Sequence, residues 1–130
     1  MIEIYQHKCI PEYIYFVIDG LLDTVDVTHL DLYFRDKIPI PTPVITFVDI
    51  RKTAKLTNLS FVWEMRSIVE IYKPYIASRN VFGLSGIQHI IFKNYIRMIG
   101  LENAYTIFSS REACEEAYQF KFPDDFSLCK

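Results

Sequence analysis

Three short, largely apolar runs, V-I-T-F-V-D-I at 44–50, S-R-N-V-F at 78–82 and Y-T-I-F at 105–108, alternate with segments whose apolar residues recur at helical spacing. That alternation constrains the fold more than any other feature of the chain. Near-continuous apolar runs suit strands covered on both faces, and strands separated by helix-length crossovers pair in parallel. The expectation is an α/β domain on a mixed, mostly parallel sheet of about five strands with about four helices. The mixed character comes from the start of the chain. Residues 2–8 alternate Ile2, Ile4 and Gln6 against Glu3, Tyr5 and His7, and the β-branched and aromatic run 13–18 follows an Ile10-Pro11-Glu12 break. Two such runs joined by a turn predict an antiparallel hairpin.

The helical segments differ in clarity. Residues 23–37 carry Val27, Leu30 and Phe34, while Phe61, Met65, Ile68, Val69 and Tyr72 give the clearest stripe, ended by Lys73-Pro74. Ile87, Ile90, Ile91, Asn94 and Met98 form a further stripe before Gly100. A last helix is expected over 110–119, with Ser109 and Glu112 spaced to cap each other's backbone amides. Residues 121–130 lack periodicity and contain Pro123-Asp124-Asp125, so they read as a C-terminal tail after a single domain over 1–120. A chain of 130 residues accommodates one core of its own.

Composition narrows the function. A net charge of −2 gives no basic field, so nucleic acid is not an expected partner. The start M-I-E-I-Y-Q-H-K lacks the basic and apolar segments of a signal peptide, and nowhere do about eighteen apolar residues run uninterrupted. A cytoplasmic protein without a membrane span is expected. Cys9, Cys114 and Cys129 are scattered and odd in number, which suits reduced thiols. His7 and Cys9 lie on one strand face, but two ligands do not make a metal site, and no metal or cofactor is expected.

No constellation of catalytic residues emerges. The Gly83 to Gly86 turn does not read G-x-S-x-G, and His89 follows Ser85 by one helical turn with no carboxylate to orient it. Its glycines suit a close approach of helix and strand, and Ser85 suits a cap. Asp19 and Asp49 both end predicted strands, where turn roles are common for aspartate. An anion is the other candidate occupant of this turn, because amides at a helix start favour negative charge. The loop after the neighbouring strand supplies Asp49, Arg51, Lys52 and Lys55 at the same sheet edge, so the candidate ligand set is Asp49, Arg51, Lys52, Gly83, Ser85 and Gly86. Trp63, Tyr72, Tyr75 and Tyr95 belong either to the core or to a partner surface.

The stretch I-Y-K-P-Y-I-A-S-R-N-V-F-G-L-S-G-I-Q-H-I-I, the later Y-T-I-F-S-S-R-E-A-C-E-E-A, and V-I-T-F-V-D at 44–49 together resemble the STAS-like group related to bacterial anti-sigma-factor antagonists. The likeness runs over roughly 13–118. It implies a non-enzymatic signalling or protein-interaction domain, with an unidentified protein partner and room for a homodimer. Some members of that group are switched by phosphorylation at a helix start after the central strand, where they carry D-S-S-G. Here that region reads R-K-T-A-K-L-T-N-L-S, so the corresponding candidate phosphoacceptors are Thr53, Thr57 and Ser60, with Ser85 beside them. The alternative function is binding of a small anionic ligand by the loops after the two central strands.

Overall fold

The computed structural model describes residues 1–20, 24–37, 43–52, 70–98 and 100–129. The stripe from Phe61 to Val69 and the candidates Thr53, Thr57, Ser60 and Trp63 lie outside the described residues. Strands β1 (Ile2–His7), β2 (Tyr13–Asp19), β3 (Val44–Lys52), β4 (Ile76–Phe82), β5 (Tyr105–Ile107) and β6 (Phe126–Leu128) form one sheet in the order β5-β4-β3-β2-β1-β6. Helices α1 (Thr24–Lys37), α2 (Gly86–Met98) and α3 (Arg111–Tyr118) connect them, and residues 70–72 are helical, leading into a 3-10 turn at Lys73–Tyr75.

The expected hairpin forms, with Ile4 opposite Phe16 in antiparallel register. Strands β2, β3, β4 and β5 run parallel. The sheet therefore has the mixed α/β character expected, but six strands rather than five. The sixth comes from the segment read as a tail. Residues 126–128 pair antiparallel with β1, and Phe126 is buried. Chain periodicity could not reveal so short a strand, because three residues show no repeat.

Each face of the sheet carries its own core. Ile4, Phe16, Val44, Ile50 and Val81 meet Leu30, Phe34 and Tyr72 on one face. Val27 packs at the margin of that cluster, so the α1 stripe docks as its spacing predicts. The α2 stripe does not. Ile87, Ile90 and Met98 face outward, while Tyr95 and Ile96 are buried with Phe92 packed beside them. Helix α2 has apolar residues on two faces, and only docking decides which one the sheet takes.

The opposite face is aromatic. Tyr15, Phe47, Phe82, Phe120 and Phe126 cluster there with Cys114. The Phe122 ring stacks on Tyr15 with centroids 4.0 Å apart. Helix α3 lies over this face and is capped one residue later than expected. Ser110, not Ser109, accepts the Ala113 N–H at 3.1 Å, and Gln119 closes the other end in the left-handed region at φ 57°. A buried polar knot fastens α3 down: the Asn80 side chain donates to the Thr46 carbonyl and accepts the Tyr118 hydroxyl at 3.0 Å. An asparagine fully enclosed this way must be satisfied on both ends of its amide, because each orphaned group costs about 1–3 kcal/mol.

Burial also sets the chemistry of Cys114. Removal from water, and then the charge of Glu115, push its thiol up to about 12. The folded value stands above the ordinary one, so the unfolded chain loses this proton first as pH rises. Stability contributed by the neutral thiol is complete below about pH 9 and is lost as pH climbs toward about 12, at up to about 1.4 kcal/mol per pH unit. The urea midpoint is expected to fall over that window, and to fall less in Cys114→Ala. In the native state Cys9, which is exposed, should react with a thiol reagent while Cys114 does not. Equal labelling rates would show that α3 opens freely.

Candidate functional site

The C-terminal ends of the parallel strands place Asp49, Arg51, Lys52 and Gly83 along one edge. Asp49 is the penultimate inward residue of β3 on the aromatic face, and only 2% of its side chain reaches solvent. An ionised carboxylate at that depth needs a full set of donors. Arg51 supplies most of them: its backbone N–H reaches Oδ1 at 3.1 Å, Nε reaches Oδ1 at 2.9 Å, and a terminal nitrogen reaches Oδ2 at 2.6 Å. The Tyr15 hydroxyl adds a further contact at 3.3 Å. Both carboxylate oxygens are thus engaged by groups of the same chain.

The two-residue spacing explains the clamp. Residues i and i+2 of a strand share a face, so Arg51 folds back over Asp49 where β3 emerges from the sheet. Its guanidinium carbon stands 5.8 Å from the centroid of the Phe82 ring. Hydrogen bonding to Asp49 raises the Arg51 pKa further above its ordinary value. Desolvation, and then the Asp49 charge, raise that of the Tyr15 phenol. Arg51 therefore stays a cation and Tyr15 stays a donor in the neutral range. The Arg51 side chain remains 41% exposed, and Lys52 beside it is exposed.

Gly83 completes the edge by touching Arg51. It has φ +94°, and a Cβ there would stand 2.5 Å from Arg51 Cγ and 2.7 Å from the Arg51 backbone nitrogen. The first glycine of G-L-S-G is thus required twice over, by conformation and by contact. Ser85 sits just before α2: its carbonyl accepts the His89 N–H at 2.8 Å, and its own N–H donates to Gln88 Oε1 at 3.0 Å. The latter is the reciprocal half of a capping box. Ser85 and Gly86 are exposed, and a Cβ on Gly86 would meet nothing.

The structure thus joins Asp49, Arg51 and Gly83 by direct contact and leaves Lys52, Ser85 and Gly86 at the surface. The contribution of Tyr15 was not evident from spacing, because it comes from the neighbouring strand. Asp19 pairs in register with Lys52 rather than with Asp49. His7 Nδ1 accepts the backbone N–H groups of Cys9 and Ile10 at 3.0 and 2.9 Å, so the His7-x-Cys9 pair closes a turn. Among the described residues no group of three His, Cys, Asp or Glu side chains converges, and no helix is long and apolar enough to cross a membrane. Tyr72 and Tyr95 belong to the core, whereas Tyr75 is exposed.

Two of the cavities among the described residues lie elsewhere. One of about 530 Å³ sits between α1 and the β1/β6 edge, lined by His7, His29, Tyr33 and Cys129 among others. The second, of about 400 Å³, sits between α2 and β5. No protein-family model matches the chain, and no curated protein matches it.

Proposed function

We propose that this chain is a non-enzymatic, STAS-like regulatory or protein-interaction domain that meets its partner at the loop edge carrying Arg51 and Lys52. The observation that supports this reading is the Asp49–Arg51–Tyr15 clamp. A carboxylate already bonded to its own arginine and tyrosine is poorly placed to exchange protons with a substrate. What it does well is hold a half-exposed guanidinium in one position, and fixed arginines are favoured where partners are recognised. Burial of Asp49 gives that guanidinium a rigid footing.

The test is affinity capture from the native cytoplasm with the wild-type chain and with Lys52→Glu, a surface change that leaves the clamp intact. A discrete partner, recovered by the wild type and lost with Lys52→Glu, is the expected result. Turnover of ester, phosphate or nucleotide substrates, abolished by a change at this edge, would overturn the reading. The anionic-ligand alternative is favoured by the same two exposed cations. It predicts saturable calorimetric binding of inorganic phosphate that Lys52→Glu removes. Comparing Ser85→Asp with Ser85→Ala in the capture experiment reports on phosphorylation at the α2 start, since added charge there alters partner affinity only if the edge is read.

A further inference from the structure

The cavity between α2 and β5 has a regular pattern of basic side chains on one wall. His89, Lys93 and Arg97 line it at four-residue intervals along α2, with Ile96, Tyr105 and Ile107 beneath them. Four residues of helix advance about 6.0 Å. Two residues of a strand advance about 6.6–6.8 Å. A row of basic side chains on a helix that runs alongside a sheet edge, two of them the cations Lys93 and Arg97, therefore matches alternate side chains of one added strand, three positions deep. A compact anion could meet only one or two of them.

The floor of the groove is a sheet edge suited to such an addition. Among the described residues, strand β5 pairs with β4 alone. Ala104 offers its carbonyl to the Arg79 N–H, and Phe108 donates its N–H to the Val81 carbonyl. In a parallel ladder this parity turns the backbone groups of Tyr105 and Ile107 to the side away from β4. Their side chains pack with Tyr95 and Ile96 on the α2 face, so the groove and the edge adjoin. Arg79 is buried behind Tyr105, with its guanidinium carbon 5.8 Å from the ring centroid. Among the described residues Glu102 is the single acid on the wall. It bonds Arg97 at 3.3 Å, with both side chains more than half exposed, and such pairs are weakly held.

We propose that the α2–β5 groove binds an extended segment of a partner protein bearing acidic residues at alternate positions, added as a strand to β5. Backbone bonding to the edge supplies affinity, and the basic row selects the sequence. In the free protein Glu102 occupies part of the place that a ligand carboxylate takes. None of the loop-edge residues is involved, so this inference and the reading above stand or fall separately.

The test is fluorescence anisotropy with a labelled peptide, Val-Glu-Thr-Glu-Thr-Glu-Val, beside an isomer with its three glutamates adjacent and a version N-methylated on alternate amides. The alternating peptide is expected to bind about tenfold more tightly than either control, and the double change Lys93→Glu with Arg97→Glu to abolish binding. Glu102→Gln should tighten it by about twofold to threefold. All three positions are exposed, so circular dichroism should show unchanged folding. No binding, equal binding of the three peptides, or binding that survives the double change would overturn the proposal. So would an equal affinity for a single-stranded oligonucleotide, which would mark a plain cationic surface. Dimerisation in sedimentation that the double change removes, without peptide binding, would overturn it in favour of a second copy.

Discussion

Deleting residues 121–130 is expected to unfold the domain or bring it close to unfolding. The deletion removes Phe122, stacked on Tyr15, and Phe126, which is 5% exposed among Tyr15, Phe120 and Phe122. Truncating one buried aromatic to alanine costs about 3–5 kcal/mol, and the whole stability of an ordinary domain is about 5–15 kcal/mol. The loss extends beyond packing. Strand β1 would give up its pairing with β6, and the Lys8 N–H its bond to the Asp125 carbonyl. The separate substitutions Phe122→Ala and Phe126→Ala should each lower the urea midpoint clearly while keeping a cooperative transition. A truncated chain as stable as the intact one would show that the segment is an ornament on the sheet.

Gly83→Ala should be the most damaging glycine substitution. Gly20, Gly83 and Gly100 all have positive φ, so each pays a conformational cost on gaining a side chain, of about 1 kcal/mol. Nothing lies within 4 Å of the Cβ positions at Gly20 and Gly100, whereas Gly83 abuts the Arg51 backbone. Overpacking of that kind typically adds about 1–3 kcal/mol. A Gly83→Ala loss of about 2–4 kcal/mol is therefore expected, against about 1 kcal/mol for Gly100→Ala. The shift should also loosen the hold of Arg51 on Asp49, which measured stability alone would not reveal. Combining Gly83→Ala with Arg51→Ala tests that coupling: a sum smaller than the separate losses means that the two changes disturb one contact. Equal effects at Gly83 and Gly100 would mean that β3 and β4 separate readily at this edge.

Much of the fold was legible because the hairpin, β3 and β4 satisfy local and global demands together. Alternation in 2–8 and the apolar run at 44–50 match strands whose neighbours cover them as expected. Where legibility failed, the cause was physical in each case. The residues Phe120, Phe122 and Phe126 carry a real signal, aromatics spaced to reach one cluster, but the turn at Pro123 and a three-residue strand leave no period to detect. On α2 the isoleucines outnumber the aromatics, yet Phe92, Tyr95 and Ile96 take the sheet. Ser110 displaced Ser109 as the cap by a single residue, a margin at which helix ends are poorly specified by spacing. At the loop edge Asp49, Arg51 and Gly83 were all recognisable as notable. Their mutual contacts depend on β2, β3 and β4 lying side by side, and no sequence interval encodes that adjacency. The polar Asn80 inside an apolar strand was the overlooked marker of the α3 anchorage.

The order of strands has a consequence for synthesis. Strand β1 is made before the other five strands of the sheet and is flanked in the finished sheet by β2 and β6. Its inner partner is available after a short turn, while its outer partner is separated from it by well over a hundred residues of chain. A nascent chain on the ribosome can therefore assemble the hairpin early and extend the parallel sheet strand by strand, yet the outer side of β1 stays uncovered until 126–128 have emerged. Pairings of such long sequence separation form slowly, and an uncovered strand invites the wrong neighbour in the interval. Fusing the chain to a ribosome-stalling sequence at successive lengths should find protease resistance appearing only once β6 has cleared the exit tunnel.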